Sequence, residues 1–155
     1  MSTTAAETVH TRLVGAWTLV SYETRRTDGG GTVHPLGADA RGIIMYTPDG
    51  FMSAQIMRTG RPNFATPDLH GGGEQEFASA AEGYLAYSGP FAVSADGATV
   101  THGVSVSLFP NWVGGVQARV AVLSGSRLEL SSPEPVLIRG EPRTAHLVWQ
   151  RAERN

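Results

Sequence analysis

The chain of 155 residues contains no cysteine, which excludes disulfides, thiolate metal sites, iron–sulfur clusters and a cysteine nucleophile. No run approaches the roughly 20 apolar residues of a membrane-spanning helix. The opening MSTTAAETVH lacks the basic segment and apolar core of a secretory signal. The expected setting is therefore the cytoplasm, with no membrane partner. Charge of one sign is also scarce: a net charge of −2, scattered along the chain, leaves no basic stripe for phosphate contacts, so nucleic acid is not an expected partner. The five histidines, at 10, 34, 70, 102 and 146, show none of the close spacings of metal ligands. GGGEQEF has the glycines of a phosphate loop without its lysine or preceding strand. No Gly-x-Ser-x-Gly elbow occurs, and the nearest run, LSGSRL, reads as a hairpin turn. Neither a metal nor a cofactor is expected.

What the chain does have is punctuation: 19 glycines and 9 prolines between short patterned runs. TTAAETVHTRLVG carries a capping box, Thr4 with Glu7, and Ala6, Val9 and Leu13 at helical spacing before Gly15, which predicts a short N-terminal helix. AWTLVSYETRR then alternates Trp17, Leu19 and Ser21 against Val20 and Tyr22, placing the outermost Glu23 in solvent. RGIIMYT and FMSAQIM flank Pro48-Asp49-Gly50, a turn signal that predicts an antiparallel hairpin. After the long loop RTGRPNFATPDLHGGG, a second short helix is expected in EQEFASAAEGYLAY, with Phe77, Ala81 and Tyr84 as its core stripe. YSGPFAVSAD, ATVTHGVSVSLF, VQARVAVLS, RLELSS and TAHLVWQR bring the strands to eight. Turns this short cannot hold helical crossovers, so residues 1–155 read as one all-β domain, an up-and-down antiparallel barrel or a sandwich. An eight-stranded barrel holds side chains or one small ligand in its interior.

The candidate site residues are the polar groups that these rows carry. In ATVTHGVSVSLF, His102 stands in line with Val100, Val104, Val106 and Leu108. Facing inward, it is either a core histidine bonded to a carbonyl or hydroxyl, or a pocket base able to switch near neutral pH. Gln117 and Arg119 alternate with Val116, Ala118, Val120 and Val122. The ordinary pattern turns such polar residues outward. Inward, Arg119 needs an anionic or carbonyl partner such as an enolate or carboxylate. Tyr46, Ser53 and Gln55 lie in the hairpin and Tyr87 shares parity with Phe91; each phenol is either a packing residue or a donor to a substrate carbonyl. Asn111 and Trp112, after Pro110, mark either a loop mouth or a simple corner.

Gly15-Ala16-Trp17 directly after a short helix and Arg151 at the end of HLVWQR, together with GIIMYTPDGFMSAQIM, YSGPF and TVTHGVSVSLFPNWVGGVQAR, resemble the bacterial lipocalin-like domain family over nearly the whole chain. The resemblance implies an eight-stranded lipocalin-like β-barrel with a ligand cavity, in which Arg151 packs over Trp17 and closes the floor. The chain departs from secreted lipocalins in lacking cysteines, a signal peptide and a Thr-Asp-Tyr motif, which argues against an extracellular carrier. Some such barrels in bacterial biosynthesis are cofactor-free cyclases or isomerases. The functional expectation is accordingly a barrel that binds a small hydrophobic, polyketide-like molecule and cyclises or isomerises it. His102, Arg119 and Tyr46 would be its catalytic groups, with Ser53, Gln55, Tyr87, Phe91, Asn111, Trp112 and Gln117 as ligand contacts. Residues 58–73 and the helix after them would form a lid. The alternative is a non-catalytic carrier or storage barrel. A homodimer is a candidate assembly.

Overall fold

The structure, a computed structural model, describes residues 2–155. Helix α1 (Ala5–Leu13) leads into strands β1 (Gly15–Arg26), β2 (Thr32–Val33), β3 (Arg41–Tyr46) and β4 (Phe51–Met57). Helix α2 (Glu74–Glu82) precedes β5 (Tyr84–Val93), β6 (Thr99–Gly103) and β7 (Val106–Ser107). A single 3₁₀ turn, Pro110–Trp112, leads to β8 (Val116–Ser124), β9 (Arg127–Ser131), β10 (Val136–Ile138) and β11 (Glu141–Arg151). Eight strands, β1, β3, β4, β5, β6, β8, β9 and β11, pair antiparallel with their neighbours, and the long pairing of β11 with β1 closes the barrel. Closure leaves no long free edge. The three short strands are appendages on β1, β5 and β11.

One end of the barrel is sealed. The Thr4–Glu7 capping box starts α1 as the sequence predicts, and the helix delivers Leu13 to the core. The Trp17 indole N–H donates to the Leu13 carbonyl at 2.9 Å, and the Arg151 guanidinium lies 4.1 Å from the indole centre. His10 of the same helix stacks on Phe91 at 4.9 Å. Gly15 joins helix to strand with φ of 121°, and a Cβ there would meet Arg151 Nη1 at 3.0 Å. The backbone angle therefore favours glycine, and a Cβ would also crowd the guanidinium.

Two one-residue irregularities change which residues face inward. In β1 the register slips between Leu19 and Ser21. Trp17 is buried before the slip, and Tyr22 and Thr24 after it. The expected Trp17, Leu19, Ser21 row thus breaks at its last member, because one extra residue exchanges the faces. Glu23 lies off the buried row and pairs with Arg25 at 2.6 Å.

The second irregularity divides ATVTHGVSVSLF. Phe91 pairs with His102 but Tyr87 with Ser107, so three residues of β5 lie opposite four of the β6–β7 segment. Val100, His102 and Val104 are buried, whereas Val106 and Leu108, expected on the same row, are exposed. Gly89 sits inside this bulge, where a Cβ would lie 2.0 Å from the Gly103 carbonyl oxygen. Gly89→Ala is expected to lower stability by about 2 kcal/mol, since backbone rather than a movable side chain must give way. A urea midpoint equal to that of the unaltered protein would show that the two strands separate freely.

Helix α2 does not present the expected core stripe. None of its residues is buried. It carries the preceding loop on the outside of the barrel: Phe77 meets Phe64 edge-on at 5.1 Å, Glu76 accepts from the Ala65 N–H, and Arg61 donates to the Ala80 carbonyl. No helix among the described residues is long and apolar enough to cross a membrane.

Candidate ligand-binding site

Toward the end of the barrel away from α1, the inward rows leave a cavity of about 470 Å³. Its walls are Ile44, Ala54, Ile56, Leu85, Leu130, Ala145 and Leu147, with Tyr22, Tyr87, Trp112 and Trp149 as aromatic panels. Phe109 and the segment Val136–Ile138 also line it, and the strong exposure of Phe109 and Leu137 places them at the mouth. No residue of 58–73 or of α2 lines this cavity, so the expected lid is not there. The loop and helix satisfy their apolar and polar groups against each other instead, and the rim is built by β10 and the 3₁₀ turn.

Arg119 is the one charged residue of the lining. Strand β8 turns Gln117 and Arg119 inward and leaves Val116, Val120 and Val122 exposed. Pairing forces this inversion of the ordinary pattern: Arg119 stands opposite Val100, whose inward face is fixed by the core. The guanidinium donates to the Ala118 carbonyl at 2.7 Å and to Gln117 Oε1 at 3.5 Å.

His102 faces inward and is almost fully buried, but it lies beneath the cavity and does not line it. Its Nε2 is 2.8 Å from the Tyr46 hydroxyl and its Nδ1 is 2.8 Å from the Tyr87 hydroxyl. Burial, reinforced by the positive charge of Arg119, lowers its pKa to about 3. The ring is thus neutral at physiological pH and cannot switch there. Of the two readings open in the sequence, the geometry is that of a core histidine bonded to neighbouring hydroxyls.

A neutral imidazole has one N–H and one lone pair. One tyrosine must therefore donate to the ring, while the other accepts from it and keeps its own O–H. Tyr46 is fully enclosed, packed edge-on against Phe91 at 4.9 Å, with no further partner for its hydroxyl. Stranding that proton would cost about 1–3 kcal/mol. The favoured arrangement has Tyr46 donating to Nε2 and Nδ1–H donating to the Tyr87 oxygen. That leaves the Tyr87 O–H for the cavity, which Tyr87 lines.

The other expected contacts divide by strand parity. Trp112 lines the cavity and packs edge-on against Tyr87 at 5.3 Å. Gln117 supports Arg119 but is not itself in the wall. Tyr46 and Phe91 lie in the sealed end. Ser53 and Gln55 are on the outer face, because Met52, Ala54 and Ile56 take the inner one. There Ser53 accepts from Ser88 at 2.7 Å and Gln55 from Tyr84 at 2.7 Å. Asn111 is exposed on the 3₁₀ turn and outside the lining.

Tyr22 and Trp149 are wall residues that the sequence reading missed. Trp149 shares strand parity with Leu147 and Arg151, a signal present in HLVWQR. Its indole Nε1 is the one fully buried side-chain nitrogen or oxygen among the described residues without a hydrogen-bond partner.

A closed antiparallel barrel, sealed at one end and holding an aromatic-walled cavity that opens at the other, defines a small-molecule-binding protein. The sequence profile of the lipocalin-like domain matches residues 14–152, and the chain belongs to that family. It is also similar to a protein of Aspergillus oryzae (strain ATCC 42149 / RIB 40) named the 4'-hydroxy-3'-methoxypropiophenone carrier protein ppsC. The two are 40% identical over 109 residues, covering 66% of this chain and 98% of the relative.

Proposed function

We propose that the protein is a carrier for a small oxygenated aromatic molecule, held in the barrel without chemical change. The observation that carries this reading is the cavity of about 470 Å³ with its apolar and aromatic walls, a size within the roughly 300–1,000 Å³ of small-molecule sites. The relative's name, a carrier of an aryl ketone, points to the same class of ligand. Carriage is favoured over cyclisation or isomerisation by the state of His102. Its pKa near 3 and its two occupied nitrogens leave no histidine base poised for proton transfer at neutral pH.

Titration with 4'-hydroxy-3'-methoxypropiophenone is expected to quench tryptophan fluorescence saturably, because Trp112 and Trp149 line the cavity. The ligand should be recovered with unchanged chromatographic retention. Ala54→Phe projects a ring into the cavity and is expected to weaken binding at least tenfold while the circular dichroism spectrum is retained. A ligand converted by the protein would overturn carriage, and undiminished binding by the variant would move the ligand out of the barrel.

A further inference from the structure

We infer that the cavity holds its ligand as an aromatic oxyanion, which gives Arg119 the counter-charge that the protein itself does not supply. This inference rests on the carrier reading and specifies the ligand's charge state. The chain buries two arginines, Arg119 and Arg143, and treats them differently. Arg143 is paired with Glu141 at 2.9 Å and also reaches the Thr24 and Gly31 carbonyls. Arg119 has no carboxylate within 4.0 Å among the described residues; its partners are a carbonyl and an amide, both neutral. A buried cation without an opposite charge is costly, so its retention in an apolar wall calls for an anion that arrives with the ligand.

No neighbour takes that role. The titratable groups that feel the charge of Arg119 are Tyr22 from β1, Tyr46 from β3, Tyr87 from β5 and His102 from β6. Burial raises all three phenols above their ordinary range and lowers the imidazole, so each is neutral at neutral pH. Strands β9, β10 and β11 contribute only apolar residues and Trp149 to the wall.

The remaining polarity of the wall has the same sense. The proton count across His102 leaves the Tyr87 O–H unspent, whereas the Trp149 N–H, though without a partner, is enclosed and does not face the cavity. The wall thus offers a cation, the Tyr87 O–H as a donor and no carboxylate, a pattern that favours an acceptor-rich, negatively charged oxygen over a neutral hydroxyl. An acyl phenol fits this chemistry: conjugation to the carbonyl makes its hydroxyl acidic, and on binding the proton passes to solvent and the phenolate stays in the cavity. An aromatic carboxylate shares the oxyanion and is the other source of it.

The test uses 4-hydroxyacetophenone, whose phenolate absorbs at longer wavelength than its neutral form, its methyl ether 4-methoxyacetophenone, and benzoate. With the unaltered protein at pH 7, the bound phenol is expected to show the phenolate band and at least tenfold tighter binding than the ether. Arg119→Met should abolish the band and bring the two affinities together, whereas Arg119→Lys should retain part of both. Tighter binding of benzoate than of the phenol would assign the same site to a carboxylate. A neutral-phenol spectrum in the unaltered protein, with phenol and ether bound equally, would overturn the oxyanion and leave the carrier reading intact. That spectrum needs no variant, so a misfolded Arg119→Met does not decide the matter. Failure of all three compounds to bind would overturn both.

Discussion

Trp17→Ala is expected to lower the midpoint of thermal unfolding by about 10 to 15 °C, because three independent contributions end on that one side chain. The indole is completely buried, and truncating a buried tryptophan costs about 3–5 kcal/mol. Its N–H satisfies the Leu13 carbonyl in the last turn of α1, which has no partner within the helix. Its face carries the Arg151 guanidinium, which in turn donates to the Val14 and Arg12 carbonyls and so ties the last strand to the end of the first helix. For a chain of this length each kcal/mol shifts the midpoint by about 2–4 °C. Trp17→Phe separates the contributions: it keeps most of the buried area, loses the bond to Leu13, and should cost about 1–2 kcal/mol. An alanine variant melting within a few degrees of the unaltered protein would show that α1 and Arg151 close the barrel without the indole. Calorimetry of the three proteins decides between these outcomes.

The sealed end was the part most legible in the sequence, because its devices are local. A capping box, a glycine at a positive φ and a tryptophan two residues later all lie within fourteen positions, and the inward row Leu128, Leu130 follows from simple alternation, whereas in β4 alternation gives Met52, Ala54 and Ile56 the inner face against the expected Ser53 and Gln55 contacts. Two of the faults arise where alternation slips by a single residue, at Val20 and around Gly103 to Val106. A bulge exchanges the two faces of a strand yet leaves no change in composition, so Ser21, Val106 and Leu108 were placed on the wrong side. Arg119 stands among the candidates in the sequence, but alternation alone leaves its direction open. The rule that polar residues face out supposes an apolar interior, and it fails on a strand whose inner face borders a cavity. Only the pairing of Arg119 with Val100 turns it inward. The lid could not be read from 58–73 at all, since where a loop docks depends on the tertiary partner it finds, here α2.

Acid is expected to destabilise the fold well above the pH at which carboxylates titrate, and His102 is the reason. In the unfolded chain the imidazole takes a proton as pH falls through its ordinary value of 6.5, whereas in the folded barrel it stays neutral until about 3. Between those values the unfolded state binds one proton more than the native state, so unfolding is favoured by about 1.4 kcal/mol for each pH unit of acidification. The stability contributed by the neutral ring is complete above pH 6.5 and is lost progressively below it. The window from pH 6.5 to 5 separates the histidine effect from Glu7, Asp28, Glu76 and Asp96, which all have pKa values below their ordinary 3.8 to 4.5. Urea unfolding across that window should record a loss of about 2 kcal/mol. His146, also lowered by burial, adds to the slope in the same direction. His102→Gln should be about 1–3 kcal/mol less stable at pH 7, having lost part of the bridge between Tyr46 and Tyr87, yet markedly flatter between pH 6.5 and 5. A variant that keeps the full slope would assign the proton uptake elsewhere. Because the same ring orients the Tyr87 hydroxyl, acid that protonates the unfolded chain leaves the native hydrogen-bond chain, and with it the polarity of the cavity, unchanged until the barrel opens.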